Sequence, residues 1–400
     1  MKLLLANFSR RRIAGTETYL ADLLVELERR SIEAGLFSET DEPKERARIQ
    51  EQDERDWCGV EQLAAVRRWN PDVVLVNGRL EAKTETELQN SFPCAYFAHN
   101  YYGTCISGFK SHRRPSPEPC FRKLGPACLL LYLPRGCGGN SPLTMFQLYE
   151  KENSHQQRLR NYRLLITHST HMRDEYVRHD FSPEQVKAIP FACHDASRLL
   201  PHAQAESLVK LESAGPIKIL FAGRMERIKG GLELIEAAAL LHQRSRRPIE
   251  LTMAGEGEMR GDWQAAASQK SGLRVDFPGW LAGESLSQAF RTHHLFAMPS
   301  LWPEPFGKGG MEAACYGCPS VGYRIGGIPD WLADGVSGYL ADWNGNAAAN
   351  LAAAMEKAIT GAEHYSSLRR GARVQAERFT TSAHCDQLLP LLEAVARGRT

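Results

Sequence analysis

Short apolar, β-rich stretches alternate with amphipathic ones along this chain, and the alternation runs through twice. A strand followed by a helical crossover and another strand builds a parallel sheet, because only a crossover of that length returns the chain in the same direction. In the first half the strand candidates are 3–6, 73–76, 95–99, 164–168 and 186–190. In the second they are 217–222, 250–254, 274–277, 294–298 and 320–323. Helical spacing marks 17–30, 173–179, 231–243, 285–292 and 311–316, then 347–359, 365–378 and 383–396 near the end. Neither half carries a short-period repeat. The pattern predicts an α/β protein with two Rossmann-like domains.

Four hundred residues exceed one ordinary core and suit two domains. The boundary is expected in 194–216, a stretch with two prolines, small polar residues and a helical patch at 205–212, before the strong strand at 217–222. This gives a first domain over 1–200 and a second over 201–380. A net charge of +2 supplies no pull toward nucleic acid. No apolar run approaches the ~18 residues needed to cross a bilayer. The opening Met1–Arg12 has too short an apolar part for a signal peptide and reads as a first strand, so the expected location is cytoplasmic.

The densest chemistry lies in 298–317. Glu304 and Glu312 stand there with seven residues between them. A Pro305-Phe306-Gly307 turn follows the first glutamate, and a helix carries the second. A helix start leaves free N–H groups that suit an anion. At ~1.5 Å rise per residue, Glu312 falls about two turns beyond Glu304. Upstream, the strand 217–222 runs into Gly223-Arg224-Met225-Glu226-Arg227-Ile228-Lys229-Gly230-Gly231. There Arg224 can fork onto phosphate oxygens and Lys229 can add a point charge.

The whole string resembles retaining, nucleotide-sugar-dependent glycosyltransferases of the GT-B fold, in the glycogen-synthase-like and mannosyltransferase-like group called family 4. It includes Pro299, Ser300, Ala313 and Gly317, and downstream the Gly326-Gly327-Ile328-Pro329-Asp330 turn. The resemblance implies two parallel sheets facing across a cleft, with a final helix, 381–400, returning to the first domain. It implies that Arg224 and Lys229 bind the diphosphate, Glu312 the ribose hydroxyls and Glu304 the donor sugar. Amides of Phe306, Gly307 and Lys308 would meet the distal phosphate or sugar. From their places in the chain, Gly255-Glu256-Gly257 after a strand could lie near the nucleotide and Trp280 and Leu281 after Pro278-Gly279 could line the base pocket, while plain loops fit both as well. No cofactor is expected, and the two cations would make a catalytic metal unnecessary.

The first half matches only at scattered points. Gly15 and the possible N-cap Thr16 open a helix with Leu20, Leu23, Leu24 and Leu27 on one face. Relatives often have two adjacent glycines there, and this chain has only Gly15. Arg10, Arg11 and Arg12 precede it and could steer an anion, meet lipid headgroups or simply be solvated. His99 ends a strand, where the resemblance places it near the donor sugar. Four cysteines, Cys105, Cys120, Cys128 and Cys137, lie in a Gly- and Pro-rich insertion at 101–140, with gaps of fourteen, seven and eight residues. They could hold a structural Zn²⁺, but no Cys-x-x-Cys knuckle supports it, and separate thiols fit as well. Cys315 and Cys318 form a Cys-x-x-Cys but read as packing residues. The apolar run 128–134 and the basic stretch 155–163 leave peripheral membrane contact, at the inner membrane face, open.

The expected activity is sugar transfer from a UDP-, GDP- or ADP-sugar to a saccharide or lipid-linked acceptor hydroxyl, an enzyme of the hexosyltransferase type. A nucleotide-sugar 2-epimerase on the same fold, and a non-catalytic nucleotide-sugar-binding protein, are the alternatives.

Overall fold

The structure, a computed structural model, describes residues 1–11, 15–43, 47–49, 54–193, 210–212 and 214–398. Arg12, Ala14 and most of the boundary stretch 194–216, its helical patch included, lie outside the described residues. The chain divides into two units. One comprises Met1–Lys110, Phe121–His194 and Thr381–Thr400; the other comprises Ser111–Cys120 and Asp195–Thr380.

The strands in chain order are β1 Lys2–Ser9, β2 Glu33–Thr40, β3 Asp56–Cys58, β4 Val73–Asn77, β5 Cys94–Ala98, β6 Ser111–His112, β7 Glu118–Pro119, β8 Leu164–Thr167 and β9 Val186–Ala188. Then come β10 Ile217–Ala222, β11 Ile249–Ala254, β12 Leu273–Gly279, β13 Leu295–Met298, β14 Ser320–Tyr323 and β15 Gly338–Ala341.

In the first unit, seven strands form one sheet in the order β3-β2-β1-β4-β5-β8-β9. Its ladders are parallel, and Leu5 of β1 sits between Leu36 and Leu75. Continuous apolar runs form the middle strands because both faces are covered: Leu3, Leu4, Leu5 and Val73 to Val76 are fully buried. The helix Gly15–Arg29 lays Tyr19, Leu20, Leu23 and Leu27 into this core. The sequence pattern misses β2 because Glu33, Gly35, Ser38 and Glu39 interrupt its apolar residues. Gly35 is needed there, since a Cβ would lie 2.8 Å from the Trp57 ring on β3.

The second unit holds a parallel sheet in the order β12-β11-β10-β13-β14-β15. The edge strand β12 alternates between half-buried and exposed residues, as a strand with one neighbour should. In both sheets the first strand has the next strand on one side and a later one on the other. The chain order reverses beside β1 and beside β10. Connections diverge at such a point and leave a crevice at the carboxyl ends of the strands.

The 101–140 insertion is divided. Its helix Ala127–Tyr132 packs with Pro142–Leu159 around Ile106, Tyr132, Cys137 and Met145 in the first unit. The antiparallel β6–β7 hairpin groups with the second unit, whereas the sequence reading kept all of 101–140 in the first. The run 128–134 is neither wholly buried nor wholly presented: Tyr132 is buried and Leu130 is 79% exposed. The basic stretch 155–163 is used internally. His155 and Leu159 are fully buried, Arg158 bonds Glu85 at 2.7 Å, and Arg160 reaches the His179 and Asp180 carbonyls. The closing helix Thr381–Ala396 meets the first helix, where His384 Nε2 lies 2.8 Å from the Tyr19 hydroxyl.

Candidate active site

In the second unit the crevice lies where β10 and β13 end. From β10 the chain turns through Gly223 into a short 3₁₀ turn, Arg227–Lys229, and then the helix Gly231–Ser245. Gly230 makes the turn at φ +71, and a Cβ there would stand 1.8 Å from the Pro299 carbonyl oxygen. The two loops are therefore in backbone contact, which the bond from Leu301 N–H to the Ile228 carbonyl (2.8 Å) secures. This contact brings Lys229 to Glu304.

Glu304 is 6% exposed, and its Oε1 is the focus of the site. Lys229 Nζ donates to it at 2.7 Å, the Ser300 hydroxyl at 2.6 Å and Trp302 Nε1 at 2.9 Å. The Lys229 ammonium also stands 5.1 Å from the Trp302 ring centroid, within cation–π range. All three donors meet one oxygen. Among the described residues, Oε2 has no such donor. The Glu304 backbone is equally fixed. Its carbonyl accepts from Gly327 N–H at 2.7 Å, and a Cβ on Gly326 would lie 2.5 Å from its N and O. Gly326 thus serves a close approach to protein backbone.

The turn after Glu304 is held by Trp331. Its Nε1 donates to the Phe306 carbonyl at 2.7 Å, and its ring fills the space beside Gly310, where a Cβ would lie 1.9 Å from it. Gly307, at φ +100, then starts the helix Lys308–Cys315. Lys308 and Glu312 pair along that helix at 3.3 Å. Trp331 is a site residue that sequence reasoning missed, although its place after Gly-Gly-Ile-Pro-Asp could have suggested it. Ser300 and Trp302 were visible only as parts of a string.

Arg224 leaves 54% of its side chain exposed and bonds Glu226 at 2.6 Å. Its loop packs on the one after β11: Met225 N–H donates to the Glu256 carbonyl, and a Cβ on Gly255 would meet the Gly223 carbonyl at 1.9 Å. Glu256 and Gly257 line a cavity of about 270 Å³ together with Arg224. Trp280 is 63% exposed.

In the first unit a cavity of about 750 Å³ opens at the carboxyl ends of β1, β4 and β5, lined among others by Asn7, Thr16, Asn77, Arg79, His99 and Lys151. Gly15 begins the adjoining helix. Asn77 Nδ2 donates to the Leu75 carbonyl, so its Oδ1 faces His99 Nε2 at 3.3 Å. That orientation makes His99 Nε2 the protonated nitrogen, and His99 Nδ1 then accepts from His168 Nε2 at 2.8 Å. Burial lowers the His99 pKa to about 3, and nearby His384 adds to this; burial pushes His168 well below its ordinary value. The ring is a neutral, oriented group, and both its nitrogens already have protein partners. Arg10 and Arg11 are also engaged, both on Asp41.

The four insertion thiols do not assemble. Cys105 Sγ lies by the Ser107 hydroxyl, Cys128 Sγ by the Lys123 carbonyl and Cys137 Sγ by the Leu131 carbonyl. Among the described residues no three His, Cys, Asp or Glu side chains form a group able to hold a metal. The structural Zn²⁺ reading of Cys105, Cys120, Cys128 and Cys137 is corrected accordingly: the pieces of the insertion pack against different surroundings. Cys315 and Cys318 are buried packing residues.

Residues 204–375 match the family described as glycosyl transferases group 1. Solved structures cover nearly the whole chain. HepE of Anabaena, in complex with UDP and glucose, covers 98% of this chain and all of its own at a TM-score of 0.61 and 18% identity. The sucrose-phosphate synthase of Thermosynechococcus elongatus covers both chains fully at 0.66 and 17%. The fold is GT-B. Among curated proteins, the D-inositol 3-phosphate glycosyltransferase of Saccharomonospora viridis is 30% identical over 244 residues, 56% of this chain and 54% of that one. The enzyme of the same name from Pseudarthrobacter chlorophenolicus is 36% identical over 148 residues, 36% of this chain and 34% of its own. The chain thus spans between a third and just over half of these relatives. No described helix is long and apolar enough to cross a membrane.

Proposed function

We propose that this GT-B chain is a retaining glycosyltransferase that moves a sugar from a nucleoside-diphosphate sugar to an acceptor hydroxyl. The observation that carries the reading is the Glu304 carboxylate, fixed through one oxygen by Lys229, Ser300 and Trp302 beside the helix start at Gly307. It lies inside the segment that matches the glycosyltransferase family.

In this reading Arg224 and Lys229 neutralise the diphosphate, with the first amides of the Lys308–Cys315 helix. Glu312 accepts hydrogen bonds from ribose hydroxyls. Glu304 Oε2 accepts from a hydroxyl of the donor sugar, and its charge favours the positive character that grows at the anomeric carbon. The bond from that carbon to the phosphate oxygen breaks, and a bond to the acceptor oxygen forms on the same face. The acceptor proton passes to the departing phosphate oxygen. Side-chain cations do this neutralisation without a cofactor. The first unit's cavity takes the acceptor, with neutral His99 and Asn77 in its wall. A lipid-linked acceptor would bring the protein to a membrane surface, where the exposed Leu130, Leu143 and Phe146 offer apolar contacts.

UDP-sugars are the first donors to try, since the HepE structure holds UDP and glucose. Melting temperature with UDP, GDP or ADP tests the donor site, because a ligand that binds only the folded state must raise it. A rise with one nucleotide that disappears in Glu312→Ala supports the reading. No rise with any of the three counts against it.

A further inference from the structure

The β6–β7 hairpin carries Arg113, Arg114, Pro115, Ser116 and Pro117 between its two strands. It is tied across itself, the Ser111 hydroxyl donating to the Glu118 carbonyl at 3.1 Å. At its base Lys110 is buried and ion-paired with buried Glu175.

Arg113 and Pro117 line the same 270 Å³ cavity as Arg224, Arg227 and Gly257. The opposite wall is rigid. Gly257 sits at φ +155, where a Cβ would lie 2.4 Å from the Met225 carbonyl oxygen. Of the cations around the cavity, Arg227 is spent structurally, because both its terminal nitrogens fork onto Glu233 at 2.9 and 2.7 Å. Arg224 makes a single short bond and is half exposed. Arg113 is exposed at the other side of the cavity. Two guanidinium groups from different loops thus line one small cavity, at the carboxyl end of β10, together with Glu226, Glu256 and Glu258; Arg224 already answers Glu226, and Arg260 from outside the cavity answers Glu256.

We propose that Arg113 is a donor-binding residue that clamps the diphosphate opposite Arg224. A guanidinium presents paired N–H groups that match phosphate oxygens, and a second one across the cavity makes the site selective for two linked phosphates over one. The hairpin is then a part of the donor site contributed by the insertion, and it stabilises the nucleoside diphosphate as it leaves. This rests on the glycosyltransferase reading above.

The test uses the full chain, with Arg113→Ala, Arg113→Lys and the neighbouring Arg114→Ala as control. Dissociation constants are measured calorimetrically for UDP and UMP, and for the guanosine and adenosine pairs. Arg113→Ala should weaken the bound diphosphate roughly ten-fold and leave the monophosphate unchanged, with Arg113→Lys between. Arg114→Ala should bind as wild type, and the ligand-free melting temperature of all three separates a loss of folding from a loss of binding. If wild type binds a diphosphate and Arg113→Ala binds it equally well, or loses monophosphate and diphosphate alike, the clamp is wrong while the donor site stands. If wild type binds no nucleotide, both readings fall together.

Discussion

At the scale of single residues, the site depends on which oxygen of Glu304 is occupied. Three donors hold Oε1 and set the carboxylate plane. Glu304→Gln keeps the shape but removes the charge and can turn an amide toward Lys229. We expect transfer to fall by about 10²–10³-fold with nucleotide affinity nearly unchanged, since the lost interaction is strongest in the transition state. Equal losses in kcat and in nucleotide binding would place Glu304 on the nucleotide instead. Gly230 tests the support beneath it. Alanine there meets positive φ and the Pro299 carbonyl at once. Gly230→Ala should cost roughly 2–4 kcal/mol in urea unfolding. A neutral result would mean that the loops are not in contact. Glu304 and Glu312 could be picked out from sequence because they sit in one dense string, and Arg224 and Lys229 because they sit in a second one upstream. The tautomer of His99 could not, because it depends on contacts with Asn77 and His168 at other strands' ends; Trp331 is signalled only by its place after the Gly326–Asp330 turn, and its bond to Phe306 shows only in the fold.

At the scale of elements, most strands of both sheets are legible because a strand buried on both faces must be continuously apolar. The spans 217–222 and 320–323 coincide with β10 and β14. Strands β2 and β3, with mixed polarity near a sheet edge, carry no such signal. The helices Leu63–Trp69, Ala82–Ser91 and Pro142–Leu159 are also missed, because their buried faces are narrow and partly polar. One of those polar faces holds Glu152, which is buried and paired with Arg79. The helix Thr170–Arg178 shows how much such groups matter. Its Glu175 is buried, with its carboxyl raised by that burial, and receives Lys110, along with Arg178 at 2.7 Å. Removing it strands the Lys110 charge away from water. Glu175→Ala should therefore destabilise the chain by about 3–5 kcal/mol, and Glu175→Ala with Lys110→Met should recover much of the loss. If the single variant costs under about 1 kcal/mol, water reaches Lys110 and the pair is weaker than its burial suggests.

At the scale of the whole molecule, both units bury histidines as neutral rings. Burial lowers His99 to about 3 and His171, His179, His294 and His384 to about 4, and it also lowers His168 and His293. Unfolding releases these rings to water, where the ordinary value is about 6.5. Below pH 6.5 the unfolded chain binds protons that the folded chain refuses, so stability falls with falling pH. The stabilisation is complete above about pH 6.5 and drains away toward pH 3–4. Each ring contributes up to about 1.4 kcal/mol per pH unit within that window. Glu39 and Glu175, whose carboxyls are raised by burial, act in the opposite sense but are two groups against seven rings. A depressed carboxylate such as Glu26, held down to about 2 by Arg29 and Arg30, gives way only below the usual carboxylate range. Acid unfolding should accordingly begin near pH 6, well above where carboxylates alone would start it. Urea unfolding at pH 7.5, 6.5, 5.5 and 4.5 measures this. The decisive variant is His384→Gln, which can keep a bond to the Tyr19 hydroxyl while removing one titrating ring. Its stability should decline less steeply than wild type between pH 6 and 4.5. Parallel curves for the two proteins would show that His384 is protonated in the folded state, and that its contact with Tyr19 is not the neutral bond drawn from its burial.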